Sequence, residues 1–469
     1  MDNLKIRESL ALLDKAMQLM GKEGVINSNI KYYTPPLIKV NNRLFDTSYY
    51  GYFPNGRGKN QLIKSVFGNE AIEGLGYICM GILSSLGYNQ YKKISAKDLK
   101  SILGNKYILI LETAEKNGLI KLRKTETEYH GSKRPCYHTE IAVNGRRGSF
   151  KRRKIQNEIA VQRLDKFYLK KLSQTSSEAF LKTHRDLKEL VLLGEGNEYV
   201  NDGLQFGFFI PKVDAFGFRI HSYLTNLKKE QRCMLRNIHD LDEPLVEVDV
   251  SQSHAHLTFK AILTKPELIA YALKDETLLR VFHDVLYEYR INDAFLIDLE
   301  LSLDNRTFYS EFFLCLLEDS LEDWRGFILK KIIEDDPNSK VFTDYDMSKI
   351  AFMYVINGGA KPILDALSSN ERYDGFRSLV LAVQNIRIPH DCADIKGVED
   401  YAPYKNFAMI LQRIESKAMQ TAYAFLKDVW GILLHDAIVC KHCDRYKVKQ
   451  AIIDAYLALD LGYPIVKFK

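Results

Sequence analysis

LVEVDVSQSHAHL, Leu245 to Leu257, decides how the rest of this 469-residue chain is read. Leu245, Val246, Val248 and Val250 spell a strand, and Glu247 and Asp249 share one of its faces because side chains alternate along a strand. Asp249 lies at the C-terminal tip of that strand, and SQSHAHL then reads as a helix starting at Ser251. A carboxylate held at the end of an apolar strand, beside a helix end that favours anions, is either a capping or turn residue or a metal ligand.

The same arrangement recurs downstream in WGILLHDAIVC, Trp430 to Cys440. Ile432, Leu433 and Leu434 form one apolar arm and Ala437, Ile438 and Val439 the other, with His435-Asp436 between them as in a tight hairpin. Each aspartate alone reads as a turn residue. Two carboxylates at the tips of apolar elements, 187 residues apart in the chain, also suit a shared pair of cations. Mg²⁺ prefers hard oxygen ligands and keeps part of its water, so one or two carboxylates suffice to hold it.

Between the two lies DMSKIAFMYVINGGAKPIL, Asp346 to Leu364, a predicted helix ending at Gly358-Gly359. Lys349, Met353 and Asn357 recur at i, i+4 and i+8, roughly one stripe. Ile350, Phe352 and Ile356 provide packing on other faces. An amphipathic surface helix accounts for that pattern, and so does a helix that grips a triphosphate through its lysine.

Taken in order, strand–Asp–helix, Lys-x3-Met-x3-Asn-Gly and His-Asp resemble motifs A, B and C of the family A polymerase superfamily. That group spans the bacterial DNA polymerase I-type enzymes and the single-subunit phage-type RNA polymerases. FGFRIHSYLTNLKKEQRCMLR, upstream, is similar to the segment that touches primer–template, and YKVKQAIIDAYLALDLGYPIVKFK looks like a closing palm helix and strand. The resemblance covers roughly residues 205–469 and extends to uncharacterised polymerase-like proteins of phages and mobile elements. It implies an α+β right-hand fold with an antiparallel palm sheet and helical fingers and thumb.

The activity it implies is template-directed nucleotidyl transfer by a DNA-directed DNA polymerase, since Ser251-Gln252 follows the DNA branch. Two Mg²⁺ ions would be held by Asp249, Asp436 and the Val250 carbonyl. Lys349 would act with them in catalysis and, with Met353, Asn357, His254 and Gln252, would form the nucleotide site. Arg219, Thr225, Asn226, Arg232 and His435 would meet the nucleic acid. The partners implied are primer–template or template DNA and nucleoside triphosphates. The sequence departs from the family pattern at four positions. His254 replaces the Glu or Gly that closes motif A, and Asn357 stands where Tyr is usual. Tyr345 stands where motif B carries Arg, and Ala437 where the DNA enzymes carry Glu. A single-subunit RNA polymerase or a primase, and from another class a catalytically silent replication initiator that binds DNA, are the competing readings.

Composition sets the frame. Apolar content of 46% and charged content of 27% are those of a protein with a sizeable core. No run of 18 apolar residues appears and MDNLKIRESLALLDKAM lacks a signal core, so no membrane span is expected and a cytoplasmic location is. The seven scattered cysteines form no disulfide framework, and Cys440-Lys441-His442-Cys443 lacks a second ligand pair for zinc. The net charge of +6 permits a polyanionic partner without requiring one.

Four regions are expected: a mixed N-terminal segment (1–70), a winged-helix-like module (71–140), a basic linker with thumb-like helices (141–205), and palm and fingers (206–469). In the second, Ser95 reads as a helix N-cap and Gly104 as a stop, and a hairpin is expected around Gly131. In the third, Arg146, Arg147, Lys151, Arg152, Arg153 and Lys154 form a basic run suited either to a solvated linker or to contact with a phosphate backbone.

Overall fold

The computed structural model describes residues 49–55, 58, 61–85, 88–125, 138–146, 148–172, 177–195, 197–206, 208–214, 216–227, 229–262, 266–274, 276–288, 302, 308–309, 311–312, 343–357, 361–368, 371–386 and 405–469. The fold is α+β, with small antiparallel sheets among many helices. Among the described residues no helix is long and apolar enough to cross a membrane.

The N-terminal part starts with β1 (Tyr50–Pro54), α1 (Gln61–Phe67) and the almost wholly buried α2 (Asn69–Ser85). Gly51 lets β1 lie directly on α2, because a Cβ there would come within 2.7 Å of the Gly76 carbonyl carbon. Next come β2 (Lys92–Ser95), α3 (Ala96–Leu103), α4 (Tyr107–Lys116), β3 (Ile120–Thr125) and β4 (His138–Val143). These strands form a three-stranded sheet in the order β2-β4-β3. Ser95 caps α3 by accepting from the Asp98 amide at 3.1 Å, and Gly104 ends it in the left-handed region (φ 83°), as the sequence predicts. The turn expected around Gly131 lies outside the described residues.

The basic run differs from the expected linker. Its second half is a strand, β5 (Phe150–Lys154), paired antiparallel with β1 so that Tyr50 faces Lys154 and Pro54 faces Phe150. Only Phe150 is buried there; Lys151 to Lys154 are exposed, so the strand has no apolar alternation to betray it. Helices α5 (Glu158–Leu172), α6 (Glu178–Leu187) and α7 (Glu198–Gln205) follow, with β6 (Leu190–Leu192) between the last two. The small strands β7 (Lys212–Val213), β8 (Ile220–His221) and β9 (Leu235–Asn237) lead to β10 (Leu245–Val250).

The central sheet runs β11-β12-β10-β13 and is antiparallel throughout; β11 is Gly431–Leu434, β12 Ala437–Lys441 and β13 Val466–Phe468. Val248, Val250, Leu433, Ile438 and Cys440 belong to the larger core. Ile432, Leu434, Ala437 and Val439 belong to a second core with Leu187, Leu190, Leu192 and Leu235. Burial on both faces explains the unbroken apolar runs of β11 and β12.

Between β10 and β11 the chain forms α8 (Ser253–Leu257), α9 (Pro266–Leu273), α10 (Glu276–Glu288), α11 (Asp344–Ile356), α12 (Lys361–Ser368), α13 (Glu371–Asn385) and the long α14 (Asn406–Phe425). A turn at Ser251-Gln252 separates β10 from α8, which therefore begins two residues later than the sequence suggests. Aromatic side chains tie these helices together: Phe259 packs on Phe376 (ring centroids 5.6 Å apart), and Phe376 stacks on Phe352 of α11 (6.0 Å). α15 (Arg445–Ala458) packs beside α14 and precedes β13.

One buried ion pair joins α6 to the hairpin. Lys182 Nζ lies 2.5 Å from Asp186 Oδ2, and both side chains are almost fully buried. Lys182 also donates to the Val429 carbonyl (2.8 Å), and the Gly431 amide donates to Asp186 (3.2 Å). Trp430 Nε1 donates to the Asp186 carbonyl (3.0 Å). Removing one partner strands the other charge in the interior. We predict that Asp186→Ala lowers the unfolding free energy by about 3–5 kcal/mol, read by urea denaturation, whereas a loss below about 1 kcal/mol would mean that the pair holds nothing together.

Candidate active site

The geometry of the site follows from strand register. β10 and β12 pair with Asp249 opposite Ala437, one residue beyond the β11–β12 turn made by His435 and Asp436. The Val250 amide donates to the Asp436 carbonyl at 3.0 Å, so the end of β10 is bonded to that turn. Asp249 and Asp436, distant in sequence, are thus neighbours at one end of the central sheet. Two residues without a glycine's freedom adopt left-handed backbone here: His435 (φ 30°) in the turn and Gln252 (φ 56°, ψ 32°) just after β10. Strained conformations of this kind persist where the surroundings enforce them, and functional sites are where they cluster.

A third carboxylate stands behind the first two. Glu415 of α14 is almost completely buried. It accepts from Ser253 Oγ at 2.6 Å and from Arg219 Nη2. Arg219 is brought there by the segment 214–221, which α14 holds: Ser416 Oγ donates to the Phe218 carbonyl (2.6 Å) and Gln420 Nε2 to the same oxygen (3.0 Å). Burial pushes the Glu415 carboxyl up, but the charges of His254, when that ring is protonated, and of Arg219, with the hydrogen bonds from Ser253 and Arg219, outweigh it and hold it below its ordinary range. Burial first, then Glu415 and Asp249, push the Asp436 carboxyl up to about 7.

His254 links this cluster to α11. Its Nε2 lies 3.3 Å from Arg219 Nη2 and its Nδ1 lies 3.2 Å from Met353 Sδ. A guanidinium can only donate, so Nε2 accepts and Nδ1 carries the ring proton toward the sulfur. Burial lowers the His254 pKa, with Arg219 and Lys349 adding to the effect against Glu415, which favours this neutral form. Lys349 is exposed on α11 yet close enough to act electrostatically on His254. His435 stacks edge-on against His221 (centroids 5.0 Å), and burial lowers its pKa to about 4.

The remaining expected residues are placed unevenly. Asn357 does not extend the Lys349–Met353 stripe: α11 ends at Ile356, and Asn357 Nδ2 donates back to the Met353 carbonyl at 2.7 Å as a cap. Gln252 occupies the left-handed turn next to Asp249. Arg232 pairs with Glu247 at 3.0 Å, on the same face of β10 as Asp249. Thr225 Oγ1 donates to the Ser222 carbonyl (2.7 Å) in a short 3₁₀ turn that also contains the backbone of Asn226. Arg146 and Lys151 to Lys154 are exposed around the β1–β5 ribbon, away from the central sheet in topology, and Arg147 lies outside the described residues.

Glu415, His221, Lys467 and Lys469 are absent from the sequence-based expectation. Glu415 had a legible signal: it is the one acid in α14, and it falls in the apolar stripe Leu411, Ile414, Ala418, Met419. An acid in such a stripe must find partners inside the protein.

Among the described residues no three His, Cys, Asp or Glu side chains form a closed metal cage. The donor set nevertheless fits Mg²⁺: two adjacent carboxylates are hard oxygen ligands, and a protein that completes the shell with water and substrate phosphates needs no more. An ammonium sits beside one of these carboxylates, with Lys469 Nζ 2.6 Å from Asp249 Oδ2. The chain matches no family model, and no curated protein matches it.

The Asp436 shift has a consequence for stability. A folded pKa of about 7 against an unfolded 3.8 means that, between those values, the native state binds more protons than the unfolded state. Stability therefore falls as pH rises through that window. Without divalent cations the thermal midpoint should drop between about pH 4 and about pH 7. Asp436→Asn should flatten that drop; an unchanged slope in the variant would show that Asp436 titrates normally.

Proposed function

We propose that the chain is a template-directed nucleotidyltransferase, a DNA-directed DNA polymerase of a phage or mobile element, with the central sheet as its palm and α11 to α13 as part of its fingers. The observation that carries this reading is the juxtaposition of Asp249 and Asp436 at one end of the antiparallel sheet. Asp249, Asp436 and the Val250 carbonyl would hold a pair of Mg²⁺ ions. Bound there, such a pair activates an attacking 3′-hydroxyl and neutralises charge on the departing pyrophosphate.

The rest of the site serves positioning. The exposed ammonium of Lys349 meets the triphosphate, as a flexible point charge suited to phosphate oxygens. His254, with both ring nitrogens engaged by Arg219 and Met353, would meet the incoming sugar through the edge of a fixed ring. With Asn357 engaged as a helix cap, His254 carries the choice between ribose and deoxyribose. Arg219, Arg232 and His435, with Thr225 and Asn226, line the approach of primer and template. The exposed lysines and arginines of β5 suit a phosphate backbone beyond the site. The order α2, β2, α3, α4, β3, β4 suits a winged helix, and on this reading it presents duplex DNA to the palm.

A primed DNA template supplied with Mg²⁺ and either nucleotide set tests the proposal. Wild type should extend the primer with dNTPs. Asp249→Asn and Asp436→Asn should each lose at least about 10³-fold in rate with template binding intact. Extension with NTPs alone would move the chain to the RNA-synthesising branch. Specific duplex binding without synthesis on any template would instead identify a silent replication initiator.

A further inference from the structure

Lys467 of β13 and Lys469 just after it converge on the carboxylate that the proposed metal needs. In the β10–β13 register Lys467 faces Asp249, and reciprocal backbone hydrogen bonds (2.9 and 3.2 Å) set Lys469 opposite Glu247. Positions two apart on a strand share a face, so both ammonium groups stand on the side of Glu247 and Asp249. Glu247 is already engaged by Arg232 at 3.0 Å. Lys469 reaches diagonally past it to Asp249, with Nζ 2.6 Å from Oδ2, and Lys467 Nζ lies 3.6 Å from the same oxygen. Diagonal neighbours across an antiparallel pair are within reach of long side chains. Asp249 is only 3% exposed, whereas the lysine side chains are 39% and 46% exposed. The acid is fixed and dry; the cations are held at its edge and can return to water.

We infer that Lys469, assisted by Lys467, is a resident counter-ion that a divalent cation must displace from Asp249, so that this lysine sets the affinity of the site for metal. The inference rests on the polymerase reading only in taking Asp249 as a metal ligand. A buried carboxylate without a cation is costly, and the ammonium removes that cost while the metal is absent. Metal entry is therefore an exchange of one cation for another at Oδ2. The freed lysine is rehydrated in the half-exposed position it already occupies. Binding weakens by the strength of the lysine contact, because two ligands that compete for one oxygen are linked.

The test titrates Mn²⁺ alone into the full chain without nucleotide and reads free Mn²⁺ by electron paramagnetic resonance. Lys469→Met keeps the aliphatic stem and removes the charge; it should bind Mn²⁺ about three- to tenfold more tightly than wild type. Lys469→Arg, which keeps the charge, should stay close to wild type. Lys467→Met, whose ammonium is farther from Oδ2, should give a smaller gain. Asp249→Asn should remove the tight site. Asp249-dependent binding that is unchanged or weakened in Lys469→Met overturns the counter-ion role and leaves the polymerase reading standing. Absence of any Asp249-dependent binding, in wild type and Lys469→Met alike, overturns both.

Discussion

The site depends on the antiparallel pairing of β10 with β12. Because Asp249 faces Ala437, the Asp436 turn lies beside the end of β10, and the Val250 amide closes the join. A slip of one residue would turn every side chain of β10 to the opposite face and send Asp249 into the larger core, where Val248 and Val250 now pack. The cores on the two faces prevent that slip. Val248 and Val250 are buried against one, and Ala437 and Val439 against the other. The apolar residues thus fix where the two acids stand, although they take no part in the chemistry proposed for them.

Three acids gathered at one place are unstable unless cations or hydrogen bonds answer them. Here each has a different answer. Glu415, the deepest, accepts from Ser253 and Arg219 and remains ionised. Asp249 is held by Lys467 of β13 and by Lys469 just after it. Lys469 also favours the charged form of Asp436, but burial and the two neighbouring acids outweigh it, and its proton affinity rises. That inequality is what a divalent cation would relieve. It also explains why α14 carries so many polar side chains in a buried helix: Arg413, Glu415, Ser416 and Gln420 tie the 214–219 segment down and so place Arg219.

What could be read from the chain alone was local. The strand at Leu245 to Val250, the two-residue turn at His435-Asp436 and the Ser95 cap each rest on neighbours within a few positions, and each is found where periodicity and capping rules put it. The features missed are those that only long-range pairing creates. The pairing of β1 with β5 joins Tyr50 to Lys154 across a hundred residues, and the four charged residues of β5 mask its period. Lys469 shows no motif at all; it matters because β13 returns antiparallel to β10. Asn357 was legible as a stripe residue by spacing, and its backbone amide does bond the Met353 carbonyl, but its side chain folds back onto the same oxygen as a cap.

Iron-directed cleavage asks whether Asp249 and Asp436 grip one common divalent centre. Fe²⁺ substituted for Mg²⁺, with ascorbate and peroxide, generates radicals that cut backbone near the bound ion, and the fragments can be mapped by mass spectrometry. Cleavage should be confined to two stretches, one around Asp249 and one around Asp436, should be suppressed by excess Mg²⁺ and should vanish in Asp249→Asn. Cuts at one of these stretches without the other, or cuts that persist in the variant, would contradict the shared centre.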